Sequence, residues 1–97
     1  MDQQSVREAA EQHAQATVSK DYNTAGSVLT EEARAKAGEV MGRMPKSLNS
    51  CHIDSVDAVG QECIAAIRYV GDDEETVVLS RWADIDGRPM IVDLQVQ

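Results

Sequence analysis

The fold is decided by residues 81–93, whose sequence is RWADIDGRPMIVD. The pair Asp86-Gly87 divides this stretch into two alternating apolar runs, and that arrangement favours a β-hairpin with a two-residue type I′ turn. The turn sets the register of the two strands and places Trp82 opposite Ile91. The stretch therefore predicts the last two strands of an antiparallel sheet.

The rest of the chain divides into a helical half and a strand half. Runs rich in Val and Ile with a period of two predict four strands, at about Ser50–Val59, Glu62–Val70, Glu75–Ile85 and Pro89–Val96. Upstream, stripes of small apolar side chains predict helices, at about Ser5–Lys20, from Asp21 or Asn23 to Leu29, and from Thr30 to Met44. Ser5 and Glu8 form a capping-box pattern at the first start. The predicted fold class is α+β: two to three helices (about 5–44) packed on a four-stranded antiparallel meander (about 50–96), in one domain of residues 1–97.

Extending the hairpin register gives the sheet two apolar faces. One face includes Trp82, and on it Ser80 lies opposite Asp93. In an antiparallel sheet with one solvent-exposed face, apolar and polar residues alternate more regularly than they do here. Helices cover only one face, so the other is expected to contact a second copy of the chain. That predicted dimer face carries Val77, Leu79, Arg81, Met90, Val92 and Leu94.

Composition excludes several classes of partner. The formal charge is -8, from 17 acidic against 9 basic residues, which argues against nucleic acid and anionic membranes. No signal peptide is predicted at the start, and no apolar run approaches the ~20 residues of a membrane span. Cys51 and Cys63 do not face each other in the predicted register, so we expect free thiols in the cytoplasm. His52 has no Cys or His at zinc spacing, and no phosphate loop or CxxC occurs, so no metal or cofactor is expected.

Residues 20–33 and 81–93 together resemble the nuclear transport factor two-like superfamily, and within it the SnoaL-like domains. The similarity lies in a short helix after Asp21-Tyr22, a third helix, and a meander that ends in a Trp strand, Asp-Gly and an Ile-Val-Asp strand. The resemblance implies a cone, or cystatin-like fold, in which helices cover the concave side of a curved sheet. It places the face with Trp82 under the first helix. The superfamily includes isomerases, dehydratases, cyclases and partner-binding domains, and many members dimerise through the sheet.

His13 is the most informative candidate residue, because it interrupts an apolar stripe of small side chains. An imidazole titrates near ~6.5, which suits a general base or a ligand-binding group. The alternative is a histidine at the core edge that bonds one neighbour. Asp93 is its expected partner, either in a catalytic acid–base pair or in a structural hydrogen bond. Four further side chains are candidates for a pocket wall, with plain core packing as the alternative: Tyr22, Tyr69, Ser80 and Trp82.

Two functions remain open. The favoured hypothesis is a non-catalytic, homodimeric binding or interaction domain, because the second sheet face is apolar, the chain is short and aromatic residues are few. The alternative is a small isomerase, dehydratase or cyclase-like enzyme that acts on a small hydrophobic carbonyl compound with His13 or Asp93 as base. The sequence leaves the ligand, the reaction and the biological partner open.

Overall fold

The computed structural model describes residues 1–97, which form three helices followed by a four-stranded sheet. The helices are α1 (Gln3–Val18), α2 (Tyr22–Gly26) and α3 (Glu31–Gly42), and the strands are β1 (Leu48–Val59), β2 (Glu62–Gly71), β3 (Glu75–Ile85) and β4 (Arg88–Val96). All neighbouring strands pair antiparallel in the order β1-β2-β3-β4. The predicted α+β architecture is confirmed. None of the helices combines the length and apolar character that crossing a membrane requires.

Each helix begins at a side chain that caps its free backbone N–H groups. The Asp2 carboxylate accepts a hydrogen bond of 2.7 Å from the backbone nitrogen of Ser5, and Asp21 and Thr30 cap the next two helices. The helix α1 therefore begins earlier than predicted, and the expected capping box at Ser5 is wrong. Asp2 has extended backbone angles and already satisfies the Ser5 N–H, so Ser5 lies inside the first turn, where the helix dipole also favours the acid at the cap.

The two tight hairpins use residues that tolerate positive φ. Asp86 and Gly87 have φ of 54° and 85°, as a type I′ turn requires, so the predicted turn is confirmed. Gly60 has φ of 63° between β1 and β2. These turns set the register of the strand residues next to them.

A β-bulge in the last hairpin changes the register of β4. Trp82 pairs with Ile91 as predicted, but Arg81 pairs with Asp93, so Val92 is the extra residue of β4. A bulge of this kind places two residues opposite one and bends the strand. Because side chains alternate along a strand, one inserted residue exchanges the faces of everything beyond it.

Two predictions are wrong because of this bulge. Ser80 lies opposite Leu94 and not opposite Asp93. Leu94 packs in the hydrophobic core, where it is 7% exposed, and does not belong to the predicted dimer face. Asp93 shares a register position with Arg81, whose side chain belongs to the uncovered face.

The hydrophobic core lies between the helices and one face of the sheet. The helix α1 packs mainly on β1 and β2, and α3 packs on β4. Gln3 and Arg7 tie α1 to the edge strand, since their side chains donate to the backbone carbonyls of Val56 and Ile53 at 2.9 and 3.4 Å. The largest fully buried side chains are Trp82, Ile67, Ile91 and Val6.

The opposite face of the sheet has no helix over it. Its central strands contribute half-buried apolar side chains, namely Ile64, Ala66, Val70, Val77, Leu79 and Ala83. On β4, Met90 pairs with Ala83 and is 8% exposed, so this member of the predicted dimer face is buried within the chain. Arg68 forms 2.7 Å ion pairs with Asp54 and Glu75, and Arg81 lies 3.6 Å from Glu62. The arginines of this face thus find acidic partners within the chain.

Candidate ligand-binding pocket

The helices leave an apolar pocket of about 200 Å³ above the sheet. Its walls come from all three helices, the segment after α2, and strands β2, β3 and β4: His13, Thr17, Tyr22, Ala25, Gly26, Leu29, Ala37, Val40, Met41, Met44, Tyr69, Val78 and Leu94. No Asp, Glu, Lys or Arg lines it. Tyr22 and Met41 are 52% and 39% exposed, so they mark the place where the pocket meets solvent.

The segment that joins α2 to α3 closes one side of this pocket by pairing with the edge of β4. The backbone nitrogen of Ile91 donates to the Val28 carbonyl at 2.6 Å, and the nitrogen of Thr30 donates to the Ile91 carbonyl at 3.0 Å. Leu29 stands between these two bonds and lines the pocket. The bonds satisfy edge groups of β4 and hold the pocket wall in place.

His13 presents one ring nitrogen to a protein partner and leaves the other free. Its Nδ1 lies 2.9 Å from the Ala25 carbonyl oxygen. A carbonyl only accepts, so Nδ1 carries the proton, and in the neutral ring Nε2 is an acceptor. Nε2 has no hydrogen-bond partner and is not sealed from solvent. Burial lowers the pKa of His13, against the opposing effect of the Ala25 bond, so the ring is neutral at pH 7.

The residue that packs against the His13 ring, Trp82, belongs to a chain of buried hydrogen bonds. The rings of His13 and Trp82 meet edge to face, with centroids 6.3 Å apart and planes at 83°. Trp82 donates through Nε1 to the Ser80 hydroxyl at 2.8 Å, and Ser80 donates to the Ala65 carbonyl at 2.9 Å. Ser80 and Trp82 are both 0% exposed and do not line the pocket. The structure therefore gives these two predicted ligand-binding residues a position behind the site.

Tyr69 and Thr17 supply the other buried polar groups of the wall. The Thr17 hydroxyl donates to the His13 backbone carbonyl at 3.0 Å. Burial strongly raises the pKa of Tyr69, and the nearby Thr17 hydroxyl opposes this rise only in part. The Tyr69 phenol therefore stays protonated at physiological pH. Tyr22 and Tyr69, two of the candidate ligand-binding residues, both line the pocket.

Asp93 lies outside the pocket. Its carboxylate contacts the Lys36 ammonium group of α3 at 2.5 Å, and this bond lowers the pKa of Asp93. Both side chains are substantially exposed, at 35% and 53%. The expected His13–Asp93 pair is thus not formed, because the bulge turns Asp93 away from the covered face.

Several pocket residues were missed from the sequence. Thr17 lies one turn after His13 on the same helical stripe, and this spacing is a usable signal. The α3 stripe contains Met41 and Met44, flexible side chains that suit an adaptable wall. The sequence pattern did not indicate Leu94, because the bulge in β4 decides on which face of the sheet its side chain lies.

Comparisons with known proteins support the fold. No family model matches the sequence, and no curated protein matches it. A solved structure of an NTF-2 like protein of unknown function from Burkholderia xenovorans LB400 is similar, with a TM-score of 0.60 and 14% sequence identity, over 93% of this chain and 84% of that chain. At this identity the likeness is one of fold. The chain has the nuclear transport factor two-like fold, as the sequence resemblance implied.

Proposed function

We propose that this domain binds a small apolar molecule without transforming it, and that it acts as a homodimer. The observation that carries the proposal is the uncharged pocket of about 200 Å³ whose wall includes His13, a residue with one ring nitrogen, Nε2, that has no hydrogen-bond partner. Ligand sites are typically apolar cavities with a few placed polar groups. Here the apolar wall supplies affinity, and the imidazole supplies orientation.

Two observations favour binding over catalysis. Burial lowers the pKa of His13, which makes the imidazole a weaker base. Its Nδ1 proton points at the neutral Ala25 carbonyl, so no carboxylate stabilises the imidazolium that proton abstraction would create. Asp93, the expected partner, bonds Lys36.

The binding proposal can be tested by titrating the domain with toluene while recording methyl resonances. Shifts should concentrate at pocket methyl groups such as those of Met44 and Val78. Ala37→Leu, which adds bulk to the pocket wall, should abolish the response. Ala66→Leu adds the same bulk on the uncovered sheet face and serves as the matched control. If neither toluene nor a polar single-ring compound such as phenol moves a pocket resonance, the binding function is rejected.

The second candidate is an isomerase-like enzyme for a small hydrophobic carbonyl compound. It is favoured by the free Nε2 in an apolar site, where a base can reach an acidic C–H. His13 would then act as the sole base. The test is exchange of the α-protons of cyclohexanone in D₂O. Exchange that the wild-type domain accelerates and His13→Gln does not would favour the enzyme, and no acceleration would reject it.

The partner we propose for the uncovered sheet face is a second copy of the chain. Four strands about 4.8 Å apart and about ten residues long present roughly 600 Å². The smallest specific interfaces bury about that area on each partner. Arg68 and Arg81 are paired with Asp54, Glu75 and Glu62 within the chain, so both arginines of the face are neutralised before a partner docks.

The dimer proposal is tested by the oligomeric state in sedimentation equilibrium. The wild-type domain should sediment as a dimer, and Leu79→Lys should sediment as a monomer, because it sets a charge in the middle of the apolar face. Ala35→Lys introduces the same charge on the exposed side of α3 and should remain dimeric. A wild-type monomer at high micromolar concentration contradicts the proposal.

The two cysteines support a reducing compartment such as the cytoplasm. Both are free thiols, and the register places Cys51 opposite Tyr69 and Cys63 opposite Ala58. Burial raises the pKa of Cys51, which lowers its reactivity. Fractionation of cells that produce the protein would test the location.

A further inference from the structure

We infer that the ligand of this pocket is a neutral, single-ring molecule that carries a hydroxyl group and donates its proton to Nε2 of His13. The inference rests on the proposed binding function and narrows it to one class of ligand, of which phenol is the simplest member. Three properties of the pocket lead to it: the fixed tautomer of His13, the absence of charge, and the size.

The His13 tautomer selects a ligand that donates. The 2.9 Å contact with the Ala25 carbonyl holds the proton on Nδ1, so Nε2 offers only a lone pair. Moving the proton to Nε2 would set the Nδ1 lone pair against the carbonyl oxygen of Ala25, two acceptors at hydrogen-bond distance. A ligand that only accepts hydrogen bonds, such as an ether or a ketone, finds no partner at His13. A ligand with a hydroxyl group can donate a hydrogen bond to Nε2.

The pocket excludes charged ligands. No lining side chain is acidic or basic apart from the neutral imidazole. The ion pair between Lys36 of α3 and Asp93 lies outside the lining. A carboxylate or ammonium group would lose its hydration here and gain no counter-charge, which is prohibitive in an apolar site. Phenol is neutral at pH 7, since phenolic hydroxyls titrate near ~10.

The volume limits the ligand to about one ring. An engineered apolar cavity of about 150 Å³ in another protein takes up benzene. A pocket of about 200 Å³ therefore accommodates a benzene-sized ring with one or two small substituents. Larger polycyclic molecules would have to protrude past Tyr22 and Met41 at the mouth.

The test compares phenol with toluene and anisole, which match its ring but cannot donate. Affinities are measured by titration against the methionine methyl resonances of the wild-type domain and of His13→Leu. Phenol should bind the wild type more tightly than anisole does. In His13→Leu the phenol affinity should fall about tenfold or more, because the hydroxyl is then buried without a partner. The toluene affinity should fall less than the phenol affinity, because both ligands lose the wall contact between His13 and Ala25 but only phenol loses a hydrogen-bond partner.

A second measurement needs no variant. The ¹⁵N resonance of Nε2 in the wild-type domain should move when phenol binds and stay in place when toluene binds. If His13→Leu weakens both ligands equally, or if the Nε2 resonance does not respond to phenol, the hydroxyl inference is overturned while the binding function stands. Anisole that binds more tightly than phenol also overturns the inference. If none of the three binds, the binding function fails together with it.

Discussion

The Nδ1 atom of His13 lies 2.9 Å from the carbonyl oxygen of Ala25, and this bond joins α1 to the short helix that forms the pocket wall. The bond leaves Nε2 as the only free polar group of the ring. It also gives one side chain two roles, because the group that fixes the wall is the group that meets a ligand. Protonation of the ring therefore affects stability and binding together.

The stability of the domain should fall as the pH drops below about 6.5. Burial lowers the pKa of His13 in the folded state from its ordinary value of 6.5, so between these two pKa values the unfolded chain binds more protons. The contribution of His13 is fully present above pH 6.5 and is lost as the pH falls through the folded pKa. Urea unfolding at intervals from pH 5 to 7.5 measures the slope.

His13→Gln is the variant for this measurement, since it keeps a polar side chain and removes the titration. It should flatten the slope between pH 5 and 6.5. His52→Gln identifies the resonances of the second histidine, so that the titration of His13 can be followed directly by NMR. A wild-type slope that His13→Gln leaves unchanged would show that another group is responsible.

Ser80→Ala should destabilise the domain by about 1–3 kcal/mol, the range for a buried polar group left without its partner. Ser80 is 0% exposed and accepts from the Trp82 indole nitrogen, which would have no acceptor in the variant. Chemical denaturation followed by Trp82 fluorescence gives the free energy of unfolding. Ser55→Ala on β1 is the matched control and should cost far less. Equal effects would mean that the indole N–H finds another acceptor.

Asp93→Asn should change the free energy of unfolding by less than about 1 kcal/mol, as is usual for exposed ion pairs. Its partner Lys36 is 53% exposed, and salt screens such a contact. The measurement is urea unfolding at low and at high salt, in which the small difference should shrink further. A loss of several kcal/mol would instead place Asp93 in a buried pair under the helices.

The sequence predicted the elements well because their signals are local. Asp86-Gly87 sets a turn through the φ values it permits, and the periods of the apolar residues separate helices from strands. Among the pocket-lining residues, His13 could be proposed because it interrupts an apolar stripe, and Tyr69 because it is one of the few aromatic residues. These predictions needed no knowledge of how the elements pack.

The position of Asp93 could not be predicted from the alternation of apolar and polar residues. Ile91, Val92 and Leu94 are all apolar, so β4 buries a similar number of apolar side chains with or without the bulge. The bulge is selected by the tertiary structure: it buries Leu94 and releases Asp93 to Lys36. One physical signal was nevertheless available. A regular strand would bury an acid under the helices, at a cost that a bulge avoids.

Gly71→Ala should destabilise the domain by about 1–3 kcal/mol, the usual cost of forcing extra atoms into a packed site. The segment between α3 and β1 crosses Gly71 so closely that a Cβ there would stand 2.5 Å from the Pro45 Cβ and 2.5 Å from the Ser47 carbonyl oxygen. The obstacles are a proline ring and backbone, neither of which can rotate away.

Gly38→Ala is the matched control, because Gly38 lies inside α3 with nothing within 4 Å of the added methyl group. That variant should gain about 0.5–1 kcal/mol from lower backbone entropy in the unfolded chain. Thermal and urea unfolding of the two variants should therefore shift in opposite directions, and a Gly71→Ala domain as stable as the wild type would show that the crossing segment can move aside.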